Sequence, residues 1–157
     1  MSRTGAPKAH EIDGTGVRVV IVAGTWHETI TEGLIAGAQR TLEAAGAEHR
    51  LVRVPGSFEL ALAAQAAFAG GADAVVALGV IVRGGTPHFD YVSHATTDGL
   101  NRVALDAGKP VGFGILTLDD EQQGLDRAGL PGSKEDKGAE AAEAALRMVT
   151  VIGELAG

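Results

Sequence analysis

The sequence predicts a layered α/β domain built on a parallel sheet of four strands. Four apolar, strand-like runs alternate with segments in which apolar residues recur at helical spacing. Those segments are long enough for the crossovers that parallel neighbours require. The run at residues 73–82 is almost continuously apolar, as expected of a strand covered on both faces. With 157 residues, 45% of them hydrophobic, the chain can build one such domain.

Residues 1–16 are polar and contain glycine, so we expect a loose N-terminal arm followed by a single domain at 17–157. The first strand is predicted at 17–23, where Val and Ile predominate. A helix should follow it, because apolar residues recur there at helical spacing: Ile30, Leu34, Ala38 and Leu42.

The second strand, at 50–54, ends at Pro55-Gly56. Ser57 is a natural N-cap for the helix that we expect to reach about Phe68. Glu59 comes two residues after Ser57, so it misses the capping-box spacing and its carboxylate is available to bind hydroxyl groups. A glutamate in a first turn is also favoured by the helix dipole alone, so both interpretations stay open.

The third strand, at 73–82, leads into a turn and a further helix. Gly84-Gly85 lets the backbone turn and approach a ligand, Thr86 is a good N-cap, and Pro87 suits the first helical position. The free amides of such a helix start bind anions, phosphate above all. His88 would then stand beside a phosphate. The alternative is an ordinary turn with an exposed histidine.

The fourth strand is predicted at 110–116, followed by Thr117 and Asp120 at capping-box spacing and a short helix to about Arg127. Ser133 and Asp136 have the same spacing ahead of a long, alanine-rich helix. Its apolar stripe contains Ala142, Ala145, Val149 and Ile152.

Composition excludes several function classes. The formal charge of −7 and the absence of a basic stripe argue against a nucleic-acid surface. Without cysteine there is no disulfide and no thiolate chemistry, and the five histidines lack metal-ligand spacing, so we expect no metal. No apolar run reaches membrane-spanning length and the N-terminus lacks a signal-peptide core, which predicts a cytoplasmic protein without a membrane partner.

Ligands of parallel α/β sheets bind beyond the carboxyl ends of the strands, and four candidate positions fall there: Trp26, Ser57 to Glu59, Gly84 to His88 and the turn after Phe113. Trp26, the single tryptophan, follows the first strand and could stack on a heteroaromatic ligand or simply pack in the core. Lys137 sits in a helix first turn, where the dipole disfavours a cation, although solvated lysines are common. Arg127, near a helix C-terminus, is structurally unremarkable.

Seven motifs resemble those of lumazine synthases, enzymes of riboflavin biosynthesis, and the similarity spans residues 17–148. The motifs are Pro55-Gly56-Ser57-Phe58-Glu59, Ala77-Leu78-Gly79-Val80-Ile81-Val82-Arg83-Gly84, Thr86-Pro87-His88-Phe89-Asp90-Tyr91-Val92, Gly114-Ile115-Leu116-Thr117, Glu121-Gln122, Arg127-Ala128-Gly129 and Lys137-Gly138. The resemblance implies a flavodoxin-like α/β/α subunit of three layers with a four-stranded parallel sheet. It also implies a cofactor-independent transferase that condenses 5-amino-6-ribitylamino-uracil with 3,4-dihydroxy-2-butanone 4-phosphate, releasing phosphate and water.

The resemblance also implies roles for individual residues. His88 matches the proton-transfer residue, and Gly85, Thr86 and Arg127 match phosphate-binding positions. Positions that bind the pyrimidine and its ribityl chain are matched by Trp26, Ser57, Phe58, Glu59, Val80, Ile81, Val82, Phe113 and Lys137. Phe113, Arg127 and Lys137 match positions that a neighbouring subunit supplies, so the partners implied are two small-molecule substrates and further copies of this chain.

Two departures from the family pattern bear on assembly and binding. At Gly85 many relatives carry a side chain, so any contact there is through the backbone. Residues 130–136 are longer than the Thr-Lys-Ala-Gly-Asn loop of members that build sixty-subunit shells, so we expect an isolated homopentamer. Two rival functions remain: an archaeal-type riboflavin synthase, and a non-catalytic flavin-binding or shell-forming relative on the same fold.

Overall fold

The computed structural model describes residues 12–157, in which strands and helices alternate. The elements are β1 (Arg18–Gly24), α1 (Glu28–Ala45), β2 (Glu48–Val54), a 3₁₀ turn (Ser57–Glu59), α2 (Leu60–Ala69), β3 (Ala74–Val82), α3 (His88–Ala107), β4 (Val111–Leu118), α4 (Glu121–Leu125) and α5 (Lys137–Ala156). Residues 1–11 of the predicted arm lie outside this description. The rest of the arm contacts the end of α1, where the Gly14 N–H donates to the Ala45 carbonyl at 2.7 Å.

All four strands are parallel, in the order β2-β1-β3-β4, which confirms the predicted sheet. In β3 every residue from Ala74 to Ile81 is buried, as its continuous apolar run predicts. The carboxyl end of β1 lies beside the middle of β3, because Ala23 pairs with Leu78, and β3 continues beyond this pair to Val82. This arrangement opens a crevice beyond the two central strands.

Helices cover both faces of the sheet. On one face α1 and α5 pack against Ile21 and Val76 through Leu34, Leu42 and Leu146, all of which are buried. On the other face Leu60 of α2 and Leu100 of α3 pack against alternate strand positions. Large apolar side chains of α2 and α3 nevertheless remain exposed: Leu62, Tyr91 and Leu105.

Three helices do not begin at the cap that the sequence predicted, namely Ser57, Thr117 or Ser133. Gly56, and not Ser57, precedes the 3₁₀ turn, so Glu59 ends that turn instead of standing in the first turn of a long helix. Strand β4 continues through Thr117 to Leu118, and Asp120 alone caps α4 by accepting from the Gln123 N–H at 3.0 Å.

The cap of α5 is Asp136, which accepts from the Ala139 N–H at 3.1 Å. Ser133 cannot serve as that cap because its hydroxyl closes the preceding loop, where it contacts the Leu125 carbonyl and accepts from the Leu130 N–H at 2.9 Å. Lys137 is the first residue of α5 and so lies in its first turn, as predicted.

Helix α3 begins at His88, within one residue of the predicted start. Thr86 retains a capping contact, since its hydroxyl accepts from the His88 N–H at 3.4 Å. Within residues 12–157 no helix combines the length and hydropathy that crossing a membrane requires.

Candidate active site

A cavity of about 560 Å³ lies beyond the carboxyl ends of β1 and β3. It is bounded by the β1–α1 junction, the 3₁₀ turn, the end of β3 and the first turns of α3. Its lining residues are Trp26, His27, Gly56, Ser57, Phe58, Glu59, Val80, Ile81, Val82, Gly84, Thr86, His88, Phe89, Tyr91 and Val92. Nine of the predicted site residues are therefore brought together in one place.

Trp26 forms one wall of the cavity. Its side chain is 69% exposed, which rules out the core-packing alternative. The indole stands against Gly56, where an added Cβ would lie 3.4 Å from the ring. Below it the buried Thr31 hydroxyl donates to the Trp26 carbonyl at 2.8 Å. The ring is thus accessible on a backbone that is held in place.

His27, beside Trp26, was not predicted. With φ 53° it is the one non-glycine residue of the described chain in the left-handed region. Its Nδ1 lies 3.1 Å from Glu121 Oε1, which connects this wall to α4. Strained residues cluster at functional sites. The partner is 94 residues away in sequence, so no local pattern could have revealed the contact.

The 3₁₀ turn forms the second wall. Ser57 is buried, and its carbonyl accepts from the Thr96 hydroxyl of α3 at 3.2 Å. Gly79 makes room for this wall, because a Cβ there would lie 2.5 Å from Ser57 Oγ. Phe58 is exposed beside the cavity, and the Glu59 carboxylate makes no hydrogen bond or ion pair to another described residue. A free carboxylate next to an apolar ring suits a polyhydroxy ligand with a flat end.

The floor of the cavity is apolar. Val80 and Ile81 are buried in β3, and Val82 is partly buried at the strand end. Backbone groups at a strand end remain available to a ligand, whereas the side chains exclude water. The apolar floor therefore favours a flat organic ring over a bare ion.

The third wall is the turn into α3. A Cβ built on Gly84 or Gly85 would meet nothing within 4 Å, so there is open space beside both residues. Neither residue is in the left-handed region, so the backbone conformation does not require glycine here. Gly84 and Thr86 line the cavity, while Gly85 belongs to the same turn without lining it. The His88 ring makes no hydrogen bond or ion pair to a described residue, so both its nitrogens can serve a ligand.

Further lining residues of α3 were also missed by sequence reasoning: Phe89, Tyr91 and Val92. Tyr91 and Val92 follow His88 at helical spacing, i+3 and i+4, and could have been found from that periodicity alone. Their side chains extend the cavity wall one turn along the helix.

Phe113, Arg127 and Lys137 do not line the cavity. Phe113 is third in the eight-residue edge strand β4, away from its carboxyl end, and is 47% exposed. The Arg127 guanidinium donates to the Gln123 carbonyl at 2.8 Å and lies 3.7 Å from the Glu135 carboxylate. Lys137 Nζ lies 3.6 Å from that same carboxylate. All three residues therefore lie outside the cavity of their own subunit, and the Lys137 side chain is only 14% exposed.

Comparison with known proteins agrees with the geometry. The family model described as 6,7-dimethyl-8-ribityllumazine synthase matches residues 16–152. The chain belongs to the 6,7-dimethyl-8-ribityllumazine synthase family.

Proteins named 6,7-dimethyl-8-ribityllumazine synthase are similar over the full length. The protein of Leifsonia xyli subsp. xyli is 73% identical over 158 residues, covering 100% of both chains. Those of Clavibacter michiganensis subsp. michiganensis and of a Nocardioides species are 63% and 60% identical, covering 99% and 97% of those proteins. The lumazine synthase resemblance read from the sequence is thus confirmed, whereas the roles of individual residues stay predictions.

Within residues 12–157 no three His, Asp or Glu side chains are grouped so as to hold a metal ion. The lumazine synthase cavity offers instead two histidines, His27 and His88, one carboxylate and largely apolar walls. These groups are suited to moving protons and orienting two organic substrates.

Proposed function

We propose that this chain condenses 5-amino-6-ribitylamino-uracil with 3,4-dihydroxy-2-butanone 4-phosphate to give 6,7-dimethyl-8-ribityllumazine, phosphate and water. The observation that carries the proposal is the family match over residues 16–152 together with a cavity that contains the motif residues of that family. The reaction needs an amine, a ketone and a phosphate leaving group held together, and no redox step.

In this proposal the pyrimidine and ribityl chain occupy the part of the cavity toward Trp26 and the 3₁₀ turn. The Trp26 indole stacks on the ring and the Glu59 carboxylate accepts hydrogen bonds from hydroxyl groups. The segment Val80–Val82 forms the apolar wall beside the ring. This assignment is supported by the exposed indole and by the Glu59 carboxylate, which has no partner in the described chain.

The butanone phosphate lies against the Gly84–Thr86 turn. Backbone N–H groups at the start of α3 bind the phosphate, aided by the positive end of the helix dipole. His88, the first residue of α3, moves protons as the amine adds to the ketone, phosphate leaves and the second ring closes. Holding the two substrates in register lowers the barrier further.

A neighbouring copy of this chain completes the site with its Phe113, Arg127 and Lys137. This assignment is supported by the lining of the cavity in a single subunit, which contains no lysine or arginine to neutralise the phosphate. Arg127 pairs with the phosphate through two N–H groups and stabilises it as it leaves. The apolar side chains exposed on α2 and α3 give copies of the chain a surface on which to assemble.

The assembly that we propose is an isolated homopentamer of cytoplasmic location. The support for it is the length of the loop at 130–136, which is anchored by the Ser133 contacts to Leu130 and Leu125. Sedimentation velocity on the purified protein should give a pentamer. A shell-sized particle would contradict this argument from the loop.

The direct test is an assay with both substrates. The purified protein should produce the lumazine absorbance together with one phosphate for each product, and with either substrate alone it should produce neither. Absence of product from correctly folded protein would favour the non-catalytic relative. Conversion of lumazine into riboflavin would favour the riboflavin synthase alternative.

A further inference from the structure

Arg83 directly precedes the Gly84–Thr86 turn and contacts three separate elements. Its backbone N–H donates to the Leu118 carbonyl at the end of β4 at 2.7 Å. Its Nε lies 3.1 Å from Asp119 Oδ1, and its guanidinium carbon lies 4.3 Å from the centre of the Phe89 ring. One residue thus joins the end of β3 to the β4–α4 turn and to the first turn of α3.

The anchor on the β4–α4 turn is itself held in place. The Asp119 N–H donates to Gln123 Oε1 at 2.8 Å, and the next residue, Asp120, caps α4. The Asp119 carboxylate therefore has a defined position from which to hold the guanidinium. A planar guanidinium can accept this hydrogen-bonded partner at its edge while its face stacks on an aromatic ring.

The turn that Arg83 introduces has few contacts of its own. A side chain at Gly84 or Gly85 would meet nothing within 4 Å, and the Thr86 hydroxyl makes only a long contact, 3.4 Å, to the His88 N–H. Phe89 packs against the core cluster that includes Ile81 and Ile115, and the Arg83 guanidinium covers its ring from the side of the turn. Phe89 lines the cavity and is the neighbour of His88.

We propose that Arg83 is a positioning residue for the condensation: it holds Phe89, and through it sets His88 and Thr86 relative to the ends of β3 and β4. The proposal rests on the proposed function. The Asp90 carboxylate, 4.0 Å from the guanidinium, favours the same placement. A half-exposed ion pair contributes little by attraction alone, so the effect depends on the shape and stacking of the guanidinium.

The experiment measures kcat and KM for both substrates in Arg83→Gln, Arg83→Lys and Asp119→Asn. Arg102→Gln is the matched control, because Arg102 also lies within reach of an aspartate, Asp106 at 3.4 Å, but on an exposed face of α3 that does not line the cavity. Thermal unfolding of each variant accompanies the kinetics.

We expect Arg83→Gln to lower kcat/KM for the butanone phosphate about tenfold, because the first turn of α3 is displaced from its reactive position. The KM for the pyrimidine should stay near that of the wild type. Arg83→Lys, which keeps the charge but loses the planar fork, should recover only part of the loss. Asp119→Asn should give a smaller loss in the same parameter, and Arg102→Gln none.

Wild-type kinetics in Arg83→Gln would overturn the proposal. Full activity in Arg83→Lys would overturn it too, because charge alone would then suffice, as would an equal rise in both KM values. Should Arg83→Gln fail to fold, Asp119→Asn decides by the same criteria, because it removes the anchor and leaves Arg83 in place. Lack of product from the wild type would instead refute the proposed function itself, and this inference with it.

Discussion

The predicted site residues fall into two groups that one subunit holds in different ways. In the cavity group, the His88 ring and the Glu59 carboxylate make no hydrogen bond or ion pair to another described residue. In the surface group, Arg127 donates to the Gln123 carbonyl and Lys137 Nζ lies 3.1 Å from Glu140 Oε2. These two polar groups of the cavity are available to substrate, whereas the two cations are already oriented by acceptors of their own chain.

Glu135 explains how the two cations are kept close together. Its carboxylate lies 3.7 Å from the Arg127 guanidinium and 3.6 Å from Lys137 Nζ, and its side chain is largely buried. A carboxylate between two cations offsets their repulsion and fixes their directions. A surface prepared in this way can meet an anionic substrate with little reorganisation, which is how preorganised charges accelerate reactions.

The largest effect should come from the cavity group. His88→Ala removes the proposed proton-transfer group and should lower kcat by about 100-fold or more, the usual contribution of general acid–base catalysis. Pyrimidine binding should persist, and quenching of the single tryptophan, Trp26, can report it. Unchanged turnover in this variant would remove His88 from the mechanism.

Arg127→Ala tests the surface group. Loss of a charge-assisted, two-pronged contact should lower kcat/KM for the butanone phosphate by roughly 10- to 100-fold while the pyrimidine titration is preserved. Steady-state kinetics at varied butanone phosphate measures this, with Arg102→Ala as the control. A wild-type dependence on that substrate would mean that Arg127 serves the fold alone.

Trp26→Ala sharpens the division within the cavity. Loss of the stacking face should raise the KM for the pyrimidine about tenfold, and Trp26→Phe, which keeps a ring, should restore most of it. The KM for the butanone phosphate is the internal reference. If both constants rose together, Trp26 would not belong to the pyrimidine half.

The smallest effect is expected for Glu59→Gln. The amide keeps the shape of the side chain and one acceptor oxygen but loses the charge, so the KM for the pyrimidine should rise only severalfold, about fivefold. A substrate analogue without the ribityl hydroxyls should bind the two proteins equally. A large difference for that analogue would contradict a role of Glu59 in holding the hydroxyl groups.

The sequence predicted the sheet because burial on both faces leaves a clear record. Residues 74–81 are apolar throughout, and they form the central strand β3. The helix caps were less predictable. Ser133 and Asp136 are both residues of a type that caps helices, and the sequence alone does not show which of them caps α5. The choice between them depends on the Ser133 contact with Leu125, which only the folded loop creates.

The site likewise contains residues that the sequence could predict and contacts that it could not. Trp26, the 3₁₀ turn and His88 follow strand ends, where ligands of this architecture bind, so their positions could be predicted. The contacts of His27 with Glu121 and of Arg83 with Asp119 join residues 94 and 36 positions apart. Neither helical nor strand periodicity extends over such separations, so only the folded structure reveals them.

The measurement that tests the account most directly is a mixing experiment. His88→Ala and Arg127→Ala are dissociated, combined in equal amounts, reassembled and assayed at limiting butanone phosphate, where each variant alone should have little activity. If each site takes His88 from one subunit and Arg127 from its neighbour, about a quarter of the interfaces regain both groups, and that share of wild-type activity should return. If both residues served the same subunit's site, every site would keep one defect, and the mixture would be no more active than its parts.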